Sequence, residues 1–158
     1  QLLNVLKKVS KDMTSSTKKN APSESQEQKA VIEWWAWYCK TKKIDERLLF
    51  SIPNGSNKSM AAAMKFKREG LRPGVPDLFL AISVTDQEVT GHVETIFRGM
   101  FNEKKSLTGT VSEAQRGYIE LLRRQDYNVL TCFGAQDAIQ AIEAYCKRAL
   151  MIGDGNER

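Results

Sequence analysis

Gly74-Val75-Pro76-Asp77-Leu78-Phe79-Leu80, followed after a break by Phe101-Asn102-Glu103-Lys104-Lys105, is the stretch on which the reading of this chain turns. Pro76-Asp77 opens one expected strand, and Glu103-x-Lys105 ends the next. Proline has no N–H to donate, which a strand tolerates at its start. Side chains two apart on a strand share a face, so Glu103 and Lys105 point together while Lys104 turns away. Pairing of the two strands brings two carboxylates and an ammonium to one sheet edge. Close carboxylates bind a hard divalent cation, and a neighbouring lysine helps orient or activate a water. That set of groups suits hydrolysis of phosphodiesters. Each residue also has a plainer reading: Asp77 as a turn acid, Glu103 and Lys105 as a solvated strand end. Two neighbouring features favour the site. The polar run 102–105 closes a strand that opens on Ile96-Phe97, and Gly70-Leu71-Arg72-Pro73-Gly74 forms a stiff loop that holds Asp77 in place.

The rest of the chain bounds what surrounds this stretch. Its 158 residues amount to about one domain, with 41% hydrophobic residues for a core and 27% charged residues for a surface. No apolar run approaches the ~20 residues of a membrane span, and no secretory signal pattern is present. A cytoplasmic protein is expected, with no membrane partner and no small-molecule substrate. The net charge of +5 gives modest support to an acidic partner. Cys39, Cys132 and Cys146 lie far apart with no Cys-x-x-Cys pair, and His92 is the only histidine. Neither a zinc site nor a disulfide framework is expected; the cysteines read as small buried hydrophobes.

Residues 1–23 read as a flexible basic arm, 24–150 as the folded domain and 151–158 as a tail. The arm's Thr14-Ser15-Ser16-Thr17-Lys18-Lys19-Asn20 is polar and poor in core formers. Gln1 at the first position leaves two readings: a fragment or processed product, or a natural start at Met13 after vector-derived residues. A helix is expected from Glu24 to about Tyr38, with Val31, Trp34, Trp35 and Tyr38 at helical spacing. Arg47–Ile52 reads as a strand stopped by Pro53-Asn54-Gly55. Asn57 or Ser59 caps a helix through Arg68, with Met60, Ala63, Met64 and Lys67 along one side and Gly70 as its stop. Leu78–Val84 is a strand, Thr85–Glu94 a polar connection, and Ile96–Lys105 a strand paired with the first. Ser112–Arg124 is a helix with Ala114, Tyr118, Leu121 and Leu122 inward. Tyr127–Phe133 is a core strand, and Gly134 opens a helix striped by Ile139, Ile142, Tyr145 and Ala149. The order α-β-α-β-β-α-β-α fits an α/β fold, a central mixed sheet flanked by helices.

Ile52-Pro53-Asn54-Gly55, Arg68 through Leu78, Glu103-Lys104-Lys105-Ser106, Ser112-Glu113-Ala114-Gln115 and Tyr127-Asn128-Val129-Leu130 occur in this order. In that ordered set the chain resembles the virus-type replication-repair nuclease (VRR-NUC) family, a branch of the PD-(D/E)XK nucleases, over roughly residues 24–150. The resemblance implies a restriction-endonuclease-like core that cleaves DNA with Mg²⁺ or Mn²⁺. It implies Asp77 and Glu103 as metal ligands, with the Lys104 carbonyl as a further one. Lys105 would position or deprotonate the attacking water and steady charge on the phosphate. The family also uses an acid from the first helix. Glu27 lies along the inward stripe of Val31 and Trp34, whereas Glu33, six residues on, is turned roughly 240° away; Glu27 is the choice, with Glu24 and Glu33 as alternatives. Gln115 forms a capping box with Ser112, and the family places a glutamine here beside the site. Asn102 departs from the apolar residue usual in relatives, so its polar group must be partnered or exposed.

Basic and polar groups mark the expected DNA path: Asn54, Ser56, Asn57, Lys58, Lys65, Lys67, Arg68, Arg72 and Lys104. They would hold phosphates without reading bases, so binding should be salt-sensitive and weakly sequence-specific. Trp34 and at least one of Trp35 and Trp37 are expected in the core. The sequence reading is therefore a metal-dependent endonuclease for branched DNA, a four-way junction or flap, of phage type and homodimeric. Its rivals are a silent nucleic-acid-binding module and an interaction subunit of a replication or repair complex.

Overall fold

The computed structural model describes residues 22–53, 59–87, 93–106 and 109–153. Helix α1 (Glu24–Lys42) starts where Ser23 accepts from the Gln26 N–H and Gln26 returns a bond to the Ser23 backbone. It ends at Lys43, which adopts the left-handed conformation. A 3-10 turn (Glu46–Leu48), capped by Asp45, leads into strand β1 (Leu49–Ser51). The strand expected from Arg47 thus starts two residues later, because the Asp45 carboxylate takes the Arg47 N–H and turns the chain. Helix α2 (Met60–Arg68) is capped by Ser59, one of the two expected caps. Strands β2 (Leu78–Leu80), β3 (Val84–Gln87), β4 (Val93–Phe97) and β5 (Met100–Lys105) follow. Helix α3 (Glu113–Arg123), strand β6 (Asn128–Phe133) and helix α4 (Gly134–Gly153) complete the fold.

The main sheet has the order β1-β2-β5-β6. β2 is antiparallel to both neighbours, and β5 and β6 are parallel, as a crossover through a helix requires. The sheet is therefore mixed and the α/β expectation holds. Two expected strands divide, however. Leu78–Val84 stops at Leu80, and Ile96–Lys105 breaks at Arg98-Gly99. The segment between them, expected as a polar connection, carries the β3–β4 hairpin. Val84 drives this arrangement: it is fully buried in the core, close to half-buried Ile96 and Phe97 in the same cluster. Gly99 permits the break, since a Cβ there would come 2.8 Å from the Phe79 ring.

The core fills the face of the sheet covered by α1 and α4. Val31, Trp35, Tyr38 and Cys39 of α1 and Ala138, Ile142, Tyr145 and Cys146 of α4 join Leu78, Leu80, Met100 and Cys132. All three cysteines are free and buried; burial pushes the Cys146 thiol up to about 12. Trp35 is sealed inside with its indole N–H on the Glu46 carbonyl, while Trp37 is exposed. The opposite face carries an aromatic row, Phe50, Phe79, Phe101 and Tyr127, in edge and tilted contacts of 4.4 to 5.5 Å along the chain of rings. α3 covers the rest of that face through Ile119, Tyr118, Leu122 and Gln115. Ala114 and Leu121, expected inward, are exposed. On α2 the half-buried residues are Ala62 and Phe66, and Met60 and Met64 are exposed.

Candidate active site

The site forms where β2 and β5 run side by side. Leu78 pairs with Asn102 and Phe79 with Phe101, so Asp77, one residue before β2, falls beside Glu103. Alternation puts Asp77, Glu103 and Lys105 on the α3 side of the sheet and Asn102 and Lys104 on the core side. Asp77 is held at both ends. Its carbonyl accepts the Ile52 N–H at 2.8 Å, and its Oδ2 accepts the Lys104 N–H at 2.9 Å. The loop before it is braced by Gly74, whose φ of +84° admits no ordinary side chain and whose Cβ position would fall 2.5 Å from the Ala114 carbonyl. Gly74 thus lets the loop that leads to Asp77 pass close against the start of α3.

Glu103 is 1% exposed, a burial that carboxylates accept only when paired. Its Oε1 accepts from Lys105 Nζ at 2.9 Å and from Gln115 Nε2. Its Oε2 is buried with no hydrogen-bond partner. Burial raises the Glu103 pKa; the hydrogen bond from Lys105 opposes this, and Asp77 and Glu24 add to it. Gln115 serves twice, since its own Oε1 accepts the Ser112 N–H at 2.9 Å in a capping box while Nε2 reaches Glu103. Cap and site contact coexist in one side chain.

The acids of α1 diverge. The Glu27 carboxylate accepts the Ala135 N–H and so satisfies the first turn of α4. Glu33 faces Lys29 at 3.7 Å, and both line a cleft of about 790 Å³ that also reaches Asp77. Glu24 lines a cleft of about 520 Å³ together with Asp77, Glu103, Lys105, Gln115, Arg72 and Lys67. The larger cleft, of about 790 Å³, runs between α1 and the end of β1, and the two share Glu24, Asp77 and Lys104. The capping box of Ser23 and Gln26 sets the helix start at Glu24, but which acid of α1 meets the cleft is decided by how the helix docks on the sheet.

Of the expected DNA contacts, Arg72 and Lys104 line the cleft, as does Lys67. Lys65 pairs with Glu69 at 3.8 Å on the exposed side of α2, and Arg68 is exposed at its end. Asn54, Ser56, Asn57 and Lys58 lie outside the described residues. Asn102 is buried; its Nδ2 donates to Cys132 Sγ at 3.0 Å and its Oδ1 is unpartnered.

The donors suit a hard cation. Asp77 and Glu103 offer adjacent carboxylates, and the orphaned Glu103 Oε2 is a buried acceptor that a cation would satisfy. Among the described residues no group of three or more His, Cys, Asp or Glu is arranged to hold a metal. A two-carboxylate set fits Mg²⁺, which keeps several of its waters.

The architecture is a mixed sheet with helices on both faces, and Asp77, Glu103, Lys105 and Gln115 come together above a cleft lined by basic and acidic side chains. The VRR-NUC domain model matches residues 14–136, and the chain belongs to that family. A solved structure described as a VRR_NUC domain protein superposes with a TM-score of 0.62 at 23% identity, covering 82% of this chain and 93% of its own, which supports the shared fold. No curated protein matches the chain. Among the described residues, no helix is long and apolar enough to cross a membrane.

Proposed function

We propose that this chain is a Mg²⁺- or Mn²⁺-dependent endodeoxyribonuclease that cuts branched DNA, a four-way junction or flap, in the manner of a phage-type homodimer. The observation that carries the reading is Glu103: a carboxylate 1% exposed, with one oxygen engaged by Lys105 and Gln115 and the other left without a partner beside Asp77. Asp77 and Glu103 would hold the cation, with Glu24 as the helix-borne acid in preference to Glu27, whose carboxylate is taken by α4. When bound, the cation polarises phosphate and makes a metal-bound water easier to deprotonate. Lys105 and Gln115 keep Oε1 occupied, so Oε2 is the oxygen presented for coordination. The Lys105 ammonium stands where it can orient the attacking water and steady charge developing on phosphate. Arg72 and Lys67 line the approach and suit phosphates of the flanking strand. Symmetric cuts in a junction need two sites related by a two-fold axis, which one domain obtains by pairing.

The test is cleavage of labelled four-way junction, flap and linear duplex by the chain and by Glu103→Gln, with Mg²⁺, Mn²⁺ or EDTA. Metal-dependent cutting that is lost in Glu103→Gln supports the reading, and the preferred substrate names the class. Binding without cutting in either metal would replace it with a silent DNA-binding module.

A further inference from the structure

Lys104 is 5% exposed, which is rare for a lysine. Its main-chain N–H holds Asp77 Oδ2 at 2.9 Å, and its Nζ donates to the Glu24 carbonyl at 3.0 Å. Glu24 is the first residue of α1, so the ammonium sits at the positive end of a helix dipole, a position that disfavours cations. Burial also costs the charge its hydration. An apolar side chain of similar length would fill the same space without either cost. Fold stability therefore does not explain a lysine here.

We infer that Lys104 is a positioning residue, which ties Asp77 through its backbone and the Glu24 turn of α1 through its ammonium into one fixed frame. The side chain reaches from β5 to α1, and the two clefts share Lys104 and the two residues it connects, Glu24 and Asp77. The sequence suggested a phosphate contact for this lysine; the structure adds a bond from its ammonium to the Glu24 carbonyl. The role rests on the nuclease reading proposed above.

Lys104→Met removes the tether and keeps the bulk, and Lys104→Arg restores a donor. Each is measured for melting temperature, Mn²⁺ affinity by titration of free Mn²⁺, and kcat and KM on the substrate that the unmodified chain cuts best. The expected result for Lys104→Met is an equal or higher melting temperature, Mn²⁺ affinity weaker by about tenfold, as for supporting residues of metal sites, and lower kcat at unchanged KM. Lys104→Arg recovers part of both losses. Unchanged Mn²⁺ affinity and kcat in Lys104→Met would overturn the inference. So would a rise in KM alone, which would mark a phosphate contact, or a fall in melting temperature with affinity intact, which would mark a purely structural lysine. If the unmodified chain neither binds Mn²⁺ nor cuts, the nuclease reading is what fails. Amide hydrogen exchange then decides the tether separately: faster exchange at 24–31 in Lys104→Met, with β6 unchanged, sustains it, and no change sinks it.

Discussion

Gln115 donates to Oε1 of Glu103 while its own Oε1 accepts the Ser112 N–H, so one side chain couples the start of α3 to the buried acid of β5. Two substitutions separate the two duties. Ser112→Ala removes the hydroxyl half of the capping box and should cost about 1 kcal/mol of stability, with activity falling little. Gln115→Ala loses the cap and the Glu103 contact together. It should cost a similar stability but lower activity by about 10- to 100-fold, as loss of a supporting contact does. Denaturant melts and initial cleavage rates on both variants check this.

Glu103 carries an energetic penalty in the metal-free protein. Its folded pKa is raised, first by burial. A raised carboxyl binds its proton more tightly when folded, so its contribution to stability is full below the unfolded carboxylate range and is lost as pH rises through the folded value. In EDTA, Glu103→Gln should therefore match or exceed the parent at pH 8, by about 2–4 °C per kcal/mol recovered, and the difference should shrink toward pH 4. Mn²⁺ should raise the melting temperature of the parent only. Thermal melts across pH with and without Mn²⁺ test both statements.

The loop that carries Asp77 depends on Gly74. Gly74→Ala forces a Cβ against the Ala114 carbonyl at a φ of +84° and should destabilise by about 1–3 kcal/mol. Gly70 also has positive φ, +105°, but no atom lies within 4 Å of its Cβ position. Gly70→Ala should cost clearly less. Equal losses would show that strain alone, without the clash, sets the cost.

Arg72 and Lys65 should behave differently although both flank the same helix. Arg72 lines the cleft, whereas Lys65 is paired with Glu69 on the exposed side. Arg72→Ala should weaken DNA binding and lower the salt slope by about one. Lys65→Ala should leave both unchanged. Binding titrations from low to high salt in EDTA measure this without cleavage.

Much of this molecule was legible in its residues. The alternation of Glu103, Lys104 and Lys105, the glycine stop at Gly70, the Ser112 and Gln115 box and the stripe of α4 are local patterns, set by backbone periodicity and by orphaned helix-end N–H groups. The β3–β4 hairpin was not legible, because Thr85–Glu94 has no apolar alternation and only Val84 beneath it marks the burial. The face of α3 was misjudged at Ala114 and Leu121 for a related reason: periodicity shows which residues share a side, not which side meets the sheet. The sequence by itself determined the fold class, the family and the pairing of Asp77 with Glu103 and Lys105. Only tertiary structure sent Glu27 to α4 and Glu24 to the cleft, and only it buried Lys104 against Asp77 and the Glu24 carbonyl. Those choices depend on the docking angle of α1 on the sheet, which is fixed by packing across more than a hundred residues of separation and leaves no local trace.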